Sequence, residues 1–264
     1  MTRKRPGIER KSEEELALMR QAGCIVGEVL AMMREKAQPG VSTGQLDAVA
    51  EEIIRDCGAV PAFKGYPHSG HNDFPASICS SINEEIVHGI PSADRVLNDG
   101  DIISIDVGAV HGGFYGDAAV TLPIGEVDEE TQRLLRVTNE ALGAGISQAR
   151  DGNHLWDVIR AIQALVEQNG FNVLHEYQGH GIGRVMHEKP DIPNFLGERG
   201  QRPKNYPLVQ GVTMALEPMV VVGEWHTRVL DDGWTVVTAD GKRSAHFEHT
   251  IAVTGGEAEI LTRL

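Results

Sequence analysis

Two histidines beside a cluster of glycines are the first residues whose types and spacing suggest chemistry. His180 and His187 lie seven residues apart in the segment 177–187, and three glycines surround the first of them. Glycine lets a ligand or another backbone approach closely, and histidine binds metals and transfers protons near neutral pH. For this segment alone, a glycine-rich turn with a surface histidine is the simpler interpretation.

Two common glycine and histidine motifs are absent from this segment. A dinucleotide-binding loop requires G-x-G-x-x-G, and its last position falls on Arg184 or Met186, depending on which glycine begins the count. The zinc-protease helix motif H-E-x-x-H begins correctly at His187, but Asp191 stands where the second histidine is required. A nucleotide loop and a single-zinc protease of that type are therefore disfavoured.

Four acidic residues occupy apolar or strand-like segments, where a carboxylate is costly. They are Asp106, Asp117, Glu217 and Glu248. A buried carboxylate needs a partner or takes up a proton, and no lysine or arginine lies within these four short segments. Any one of the acids alone is more simply a strand-edge residue that faces water. Together with His180, however, the four predict a site for two divalent cations, whose charges would balance four carboxylates.

The composition of this predicted site indicates which metals suit it. Carboxylate oxygens and one imidazole form a hard ligand set that favours pairs of Mn, Fe, Co or Zn ions. A structural zinc site prefers cysteine instead. The three cysteines of the chain form no metal-type pair, and their odd number indicates reduced thiols in a cytosolic protein.

The elements that must position these residues follow a repeated order. A capping box of Ser12 and Glu15 predicts a long helix that ends near residue 38, and a shorter helix begins at Ser42 or Thr43 and ends at Gly58. Loops and strands follow over residues 59–124. A long helix over 126–149, a shorter one within 152–170 and strands over 173–260 then repeat that order. The sequence thus predicts a single domain, residues 1–264, with duplicated halves at about 12–124 and 126–262.

Charge and hydropathy exclude several classes of protein. The 264 residues carry a net charge of −14, which disfavours general nucleic-acid binding despite a basic run at residues 1–5. That run is interpreted as a solvated terminus. No signal-peptide hydrophobic region follows the N-terminus, and no apolar run approaches the ~20 residues of a membrane span. A cytoplasmic location without membrane contact is expected.

Seven short segments, taken in their order along the chain, resemble the motifs of the type I methionine aminopeptidases. The resemblance extends from about residue 8 to near the C-terminus, and seven motifs in the same order make it specific. The matching segments are His88-Gly89-Ile90-Pro91, Ile105-Asp106-Val107-Gly108, Tyr115-Gly116-Asp117, Gly179-His180-Gly181-Ile182-Gly183, Glu217-Pro218-Met219, Asp232-Gly233-Trp234-Thr235 and Glu248-His249-Thr250. The resemblance implies an α+β pita-bread fold (creatinase/aminopeptidase-like), with duplicated α-α-β halves around an antiparallel sheet.

The resemblance also implies a function and a ligand set. The family removes the initiator methionine from nascent proteins and peptides when the second residue is small, so a dinuclear metallo-exopeptidase is expected. By the resemblance, Asp106 chelates one divalent ion, and Asp117 and Glu248 bridge both. His180 and Glu217 complete the shell of one ion.

Catalytic roles for three residues come with the resemblance. Glu217 would accept a proton from water activated by the two metals, and the resulting hydroxide would attack the scissile carbonyl. His187 would donate a hydrogen bond to the developing oxyanion, and His88 would contact the scissile amide nitrogen. Without the resemblance, His88 is more simply a turn histidine and His187 a solvated strand residue.

Further residues align with substrate and ion positions of the family. Asn83 and Ser244 fall near its monovalent-cation site. Methionine stands at position 186, where an aromatic residue is common, but it still fills an apolar pocket. The residues that align with the lining of the methionine pocket are Tyr66, Phe74, Cys79 and Trp234.

The segment 67–73 is longer than the resemblance leads us to expect. It could form a lid or rim over the methionine pocket, with His68, His71 and Asp73 exposed, or it could be a solvated loop without catalytic consequence. Its length leaves the pocket roles of the flanking Tyr66 and Phe74 open.

Two other interpretations compete with this function. A catalytically inactive pita-bread protein would act as a binding module, but such proteins lose metal ligands, and all five ligand positions here carry a competent side chain. An X-Pro aminopeptidase or prolidase usually has an extra N-terminal domain, for which the first motif histidine, at residue 88, leaves little room. The expected partners are N-termini that begin with methionine. The ribosome is a further candidate partner, a monomer is expected, and the chain resembles the short bacterial form of the family.

Overall fold

The computed structural model describes residues 8–68, 70, 72–198 and 202–263. The basic run at residues 1–5 and His71 lie outside the described residues. The described helices are α1 (Glu13–Lys36), α2 (Thr43–Asp56), α3 (Glu129–Gln148) and α4 (Leu155–Gln168). The described strands are β1 (Val60–Pro61), β2 (Ile78–Ile82), β3 (Glu85–Val87), β4 (Ile102–His111), β5 (Phe114–Pro123), β6 (Asn172–Val173), β7 (Gln178–Gly181), β8 (Glu188–Pro193), β9 (Thr213–Leu216), β10 (Met219–Val221), β11 (Thr227–Val229), β12 (Val236–Thr238), β13 (Ser244–His246), β14 (His249–Ala252) and β15 (Glu259–Ile260).

The helix starts follow from side chains that cap free backbone N–H groups. Ser12 accepts a hydrogen bond from the N–H of Glu15, whose carboxylate accepts the N–H of Ser12, so the predicted capping box is confirmed. Ser42, rather than Thr43, caps α2. Helix α3 begins three residues later than the sequence predicted, because Asp128 serves as its N-cap.

Helix α1 is a core helix of the fold. Met19, Val26, Val29 and Met33 are fully buried along its length, and the helix packs against β4 and β5. Its length and hydropathy would also suit a membrane-spanning helix, contrary to the prediction that no apolar run approaches that length. A helix in the core of a protein can have the same length and hydropathy, because a protein core and a lipid bilayer both accommodate a long apolar surface.

Two antiparallel sheets meet at the centre of the fold. One contains β1, β4 and β2 in that order, with β5 also paired to β4. The other has the order β15-β14-β9-β7-β8. The sheets are joined where the N–H of Glu248 donates to the carbonyl of Ala119 at 2.9 Å and the N–H of Asp117 donates to Thr250 Oγ1 at 3.0 Å.

The element order agrees with the predicted α+β class. A 24-residue helix, a 14-residue helix and strands are followed by a 20-residue helix, a second 14-residue helix and further strands. Every strand pair within the described residues is antiparallel. The division into a single domain with two halves at the predicted boundaries stays a prediction.

Candidate active site

Strand register brings the two aspartates together on one face of the first sheet. Asp106 in β4 lies opposite Ala119 in β5, and Asp117 lies opposite Gly108. Since side chains alternate along a strand and directly opposed residues share a face, Asp106 and Asp117 are diagonal neighbours on the same face. Cys79 in β2 is paired with Asp106, so its thiol lies on that face as well.

The second sheet brings the two glutamates together in a similar way. Leu216 at the end of β9 is paired with His249 at the start of β14. Continuing that antiparallel register by one residue puts Glu217 and Glu248 opposite each other, just beyond the paired strands. His180 in β7 is paired with Ala215, two residues from Glu217, which adds an imidazole to the two carboxylates.

The glycines around His180 serve close strand packing. A Cβ atom at Gly179 would lie 2.4 Å from the carbonyl oxygen of Ala215, and one at Gly181 would lie 2.3 Å from that of Lys189. Neither distance is compatible with a side chain, so these positions require glycine. The prediction that the glycines permit a close approach is therefore confirmed for the neighbouring backbone.

The five predicted metal ligands form one cluster where the sheets meet. His180 Nε2 lies 3.8 Å from Asp117 Oδ2 and 3.6 Å from Glu217 Oε1. One ligand atom each from Asp117, His180 and Glu248 lies within 4.8 Å of the other two. Three buried oxygens have no hydrogen-bond partner among the described residues, and these are Asp106 Oδ1, Asp117 Oδ1 and Glu248 Oε1.

The carboxylates of this cluster would be stabilised in their ionised form by nearby positive charge. Burial raises the pKa of Asp106 to about 7. Burial, and then repulsion from neighbouring carboxylates, raises the pKa values of Asp117, Glu217 and Glu248 well above their usual range. Within the described ranges, the ion-pair contacts of these acids are with His180 and His246, and none is with a lysine or arginine. Unpaired oxygens and mutual repulsion together fit a site that holds divalent cations.

A cavity of about 420 Å³ opens from the acidic cluster. All four predicted pocket residues, Tyr66, Phe74, Cys79 and Trp234, line it, as does Met186. Met186 is buried, so methionine at this position contributes to the apolar wall. The cavity is large enough for one amino-acid side chain, and both apolar side chains and carboxylates line it.

The two histidines predicted to lie outside the metal shell line the same cavity. His88 follows β3 in a left-handed backbone conformation (φ 60°), and its ring centre lies 6.2 Å from that of Trp234. His187 is exposed in the turn before β8, and its Nδ1 is 2.7 Å from the Tyr66 hydroxyl. Burial lowers the pKa of His88 to about 4. Partial desolvation of the His187 ring on its cavity side lowers the pKa of His187 as well, although the residue is exposed at the surface, and both shifts favour neutral rings.

Two described residues of the longer segment 67–73, His68 and Asn72, contact the indole of Trp234. Its ends are held together by hydrogen bonds from the N–H of Gly65 to the carbonyl of Phe74 (2.8 Å) and from the N–H of Phe74 to the carbonyl of Tyr66 (3.0 Å). Trp234 Nε1 donates to the carbonyl of Asn72 at 2.9 Å, and the His68 ring contacts Trp234 edge-on with ring centres 4.6 Å apart.

One expectation for this segment was wrong. His68 is half-buried against Trp234 rather than exposed, because a ring edge packs favourably on an indole face. Asp73 is exposed, as predicted.

The residues assigned to a monovalent-cation site are also neighbours. The N–H of Ser244 donates to the carbonyl of Asn83 at 2.9 Å, and Asn83 has a positive φ of 56°. A cation at this point stays a prediction.

Two features near the cluster were not predicted from the sequence. His246 is 1% exposed and lines the cavity, and its position two residues before Glu248 on a strand-like segment was the available signal. Lys11 forms a buried ion pair with Glu188 at 2.6 Å, next to the turn that carries His187. Nothing in the sequence connects these two residues, which are 177 positions apart.

The fold and the acidic cluster define a protein of the metallopeptidase class. Consistent with this, a model of metallopeptidase family M24 matches residues 17–255. The chain is 50% identical to a methionine aminopeptidase of Clostridium acetobutylicum over 96% of its length and 97% of that protein, and 47% identical to methionine aminopeptidase 1 of Bacillus subtilis over 96% and 98%. A solved structure of a methionine aminopeptidase from Thermotoga maritima superimposes with a TM-score of 0.92, at 45% identity, covering 98% of this chain and 100% of that one.

These comparisons place the chain in the methionine aminopeptidase family of the M24 metallopeptidases. The predicted family, the pita-bread fold and the classification as a metallo-hydrolase are thereby confirmed.

Proposed function

We propose that this chain removes N-terminal methionine from peptides and nascent proteins whose second residue is small. The observation that carries the proposal is a cluster of buried carboxylates, without lysine or arginine partners among the described residues, at the floor of a cavity with an apolar wall. The names of the relatives, methionine aminopeptidases, supply the substrate. The ribosome as partner, a monomeric state and a cytoplasmic location stay predictions.

The residues proposed to hold two divalent ions are Asp106, Asp117, His180, Glu217 and Glu248. Four carboxylates neutralise the charge of two such ions, and the neutral imidazole adds a nitrogen ligand. Divalent ions bound there would lower the pKa of water and polarise the scissile carbonyl. The identity of the ions, among Co, Fe, Mn and Zn, stays open.

The remaining chemistry belongs to the side chains of the protein. Glu217 accepts a proton as the nucleophile forms and can return it to the departing amine. His187 donates a hydrogen bond to the oxygen that becomes negative, with its orientation set by the Tyr66 hydroxyl at Nδ1. His88 contacts the scissile amide nitrogen.

The cavity wall would select the first residue of the substrate. Phe74 and Cys79 are buried, and the Phe74 and Trp234 rings meet edge-to-face at 5.1 Å, so this wall is rigid and apolar. An unbranched apolar side chain fits such a wall, whereas a charged side chain would lose its hydration there.

A comparison of substrates tests this function. The protein is purified without added metal, its metal content is measured, and activity is titrated with Co²⁺, Mn²⁺, Fe²⁺ or Zn²⁺ on a Met-Ala peptide and on an X-Pro peptide. We expect metal-dependent release of methionine from Met-Ala and little release from X-Pro. Preference for X-Pro would identify a prolidase-like activity, and no hydrolysis with any metal would identify a binding module.

A further inference from the structure

His246 is a buried histidine of the cavity for which the proposed mechanism has no role. Its side chain is 1% exposed, and neither ring nitrogen has a hydrogen-bond partner within the described parts of the chain. Buried polar groups in folded proteins are hydrogen-bonded in the large majority of cases. A buried imidazole with neither nitrogen paired is therefore expected to gain a hydrogen-bond partner when the site is in its working state.

The two glutamates of the cluster approach this ring. His246 Nε2 lies 3.9 Å from Glu217 Oε2 and 3.9 Å from Glu248 Oε2. The other oxygen of Glu217, Oε1, lies 3.6 Å from Nε2 of His180. Each glutamate thus presents Oε2 to His246, and Glu217 presents its second oxygen to the cluster.

The backbone of His246 is held firmly in place. Its N–H donates to Thr121 Oγ1 at 2.8 Å, and the Thr121 hydroxyl donates to the carbonyl of His246 at 2.8 Å. His246 is also paired with Met219, two residues after Glu217. With the main chain fixed, a side-chain movement of about 1 Å would bring Nε2 within hydrogen-bond distance of a carboxylate.

We propose that His246 is a positioning residue: its Nε2–H is shared between the Oε2 atoms of Glu217 and Glu248 and holds both carboxylates in the orientation in which they bind the metal ions. The inference rests on the proposed function, because it takes both glutamates as metal ligands. Groups that orient ligands in this way commonly change metal affinity or activity 10- to 100-fold when they are removed. Such a residue would affect metal binding and catalysis without contacting the substrate.

A matched pair of substitutions separates this role from simple packing. His246→Gln keeps an N–H donor on a side chain of similar reach, and His246→Met has nearly the same length and shape without a donor. The two variants and the wild type are stripped of metal, and the affinity and number of Co²⁺ or Mn²⁺ ions are measured by calorimetry. The melting temperature of each metal-free form shows whether the variant is folded, and kcat and KM on a Met-Ala peptide complete the comparison.

We expect His246→Met to bind the same number of ions as the wild type, with affinity lowered about 10- to 100-fold, and to lose kcat more than KM. His246→Gln should stay within a few-fold of the wild type. The proposal is wrong if His246→Met binds metal like the wild type, if both variants are equally impaired, or if one metal equivalent disappears, which would make His246 a ligand.

Two further results keep the test decisive. If His246→Met does not fold, His246→Leu takes its place, because leucine also fills apolar space without a donor. Failure of the proposed function would instead appear in the wild type, as an absence of metal binding or of methionine release. The failure of the inference and that of the function are therefore distinguishable.

Discussion

The floor and the rim of the cavity are built in different ways. The floor consists of the five proposed metal ligands, whose positions follow from strand register: Asp106 and Asp117 belong to a ladder of ten residue pairs between β4 and β5. The rim consists of Tyr66, His68, His88, His187 and Trp234, which lie outside regular strands and contact one another through ring edges and single hydrogen bonds.

This difference indicates how each region should respond to substitution. A ligand on a paired strand cannot be replaced by a neighbour, because a shift of one residue turns the side chain to the other face. The rim residues touch one another across several loops, so the loss of one contact leaves others in place. We therefore expect all-or-none effects at the floor and graded effects at the rim.

The largest effect is expected from the aspartates of the floor. Asp106→Ala or Asp117→Ala should abolish tight metal binding and activity together, because each removes a charge that the ions require. Metal content and kcat/KM are measured on the same preparations. Removing a buried, repelled carboxylate should not destabilise the metal-free form, so its melting temperature should match or exceed that of the metal-free wild type.

A different result would break the comparison between the two regions. If either variant bound two metal ions with wild-type affinity, the assignment of that aspartate as a ligand would be wrong. Asp117→Asn is the matched control, because it keeps the shape of the side chain and removes the charge.

The next effect concerns the histidines of the rim. His88→Ala and His187→Ala should keep both metals and lose activity by ~10²–10⁴-fold, the usual contribution of a positioned proton-transfer or oxyanion group. Metal content beside kcat distinguishes this from loss of a ligand. Loss of one metal equivalent in His187→Ala would show that His187 is a metal ligand and belongs to the floor.

Tyr66→Phe sharpens the same comparison. It removes the hydroxyl that lies 2.7 Å from His187 Nδ1 and keeps the ring, so its effect should be smaller than that of His187→Ala. An equal loss in the two variants would mean that orientation by Tyr66, rather than the presence of the imidazole, limits the reaction.

The floor was predictable from the sequence because its residues violate a simple expectation. Asp106 interrupts an apolar strand, and Glu217 follows another, so burial of an acid could be inferred before any contact was known. The family resemblance then assigned these acids to one site. The strand partners of these acids could not be derived from spacing alone. The pairing of Asp106 with Cys79, for example, depends on the register between two distant segments.

The rim and the neighbouring residues were less predictable for a physical reason. The half-burial of His68 depends on the indole of Trp234, which is 166 positions away. His246 was overlooked because one histidine in an apolar segment is usually an ordinary core residue. The distances of 3.9 Å to two carboxylates distinguish it.

A smaller effect is expected from a change in the first residue of the substrate than from the loss of a rim histidine. A closed apolar pocket discriminates between side chains of similar size by only ~1–3 kcal/mol, so Leu-Ala peptides should be cleaved roughly 10- to 200-fold more slowly than Met-Ala. Met-Phe and Met-Lys should fail, because a bulky second residue clashes at the rim. The measurement is kcat/KM for the four peptides, and rapid cleavage of Met-Phe or Met-Lys would contradict the predicted specificity.

The smallest effect is expected from the segment 67–73, whose described residues His68 and Asn72 contact Trp234 and which contributes no proposed metal ligand. Shortening it to two residues removes the Asn72 carbonyl that accepts the indole N–H and the His68 ring that packs on the indole. Because a neutral hydrogen bond contributes about 1 kcal/mol, we expect KM to change several-fold. The change should be greater for longer peptides, which pass over the rim, than for dipeptides, which end inside it.

Trp234→Phe in the full-length chain is the matched control for this deletion. It removes the hydrogen bond to Asn72 and keeps an aromatic ring beside Phe74 and His88. If the segment acts by holding the indole in place, the substitution and the deletion should raise KM for long peptides by similar factors. If only the deletion has an effect, the segment contacts the peptide directly. Identical kinetics on short and long peptides in both variants would make it a solvated loop, and the rim would then consist of Tyr66, His88, His187 and Trp234 alone.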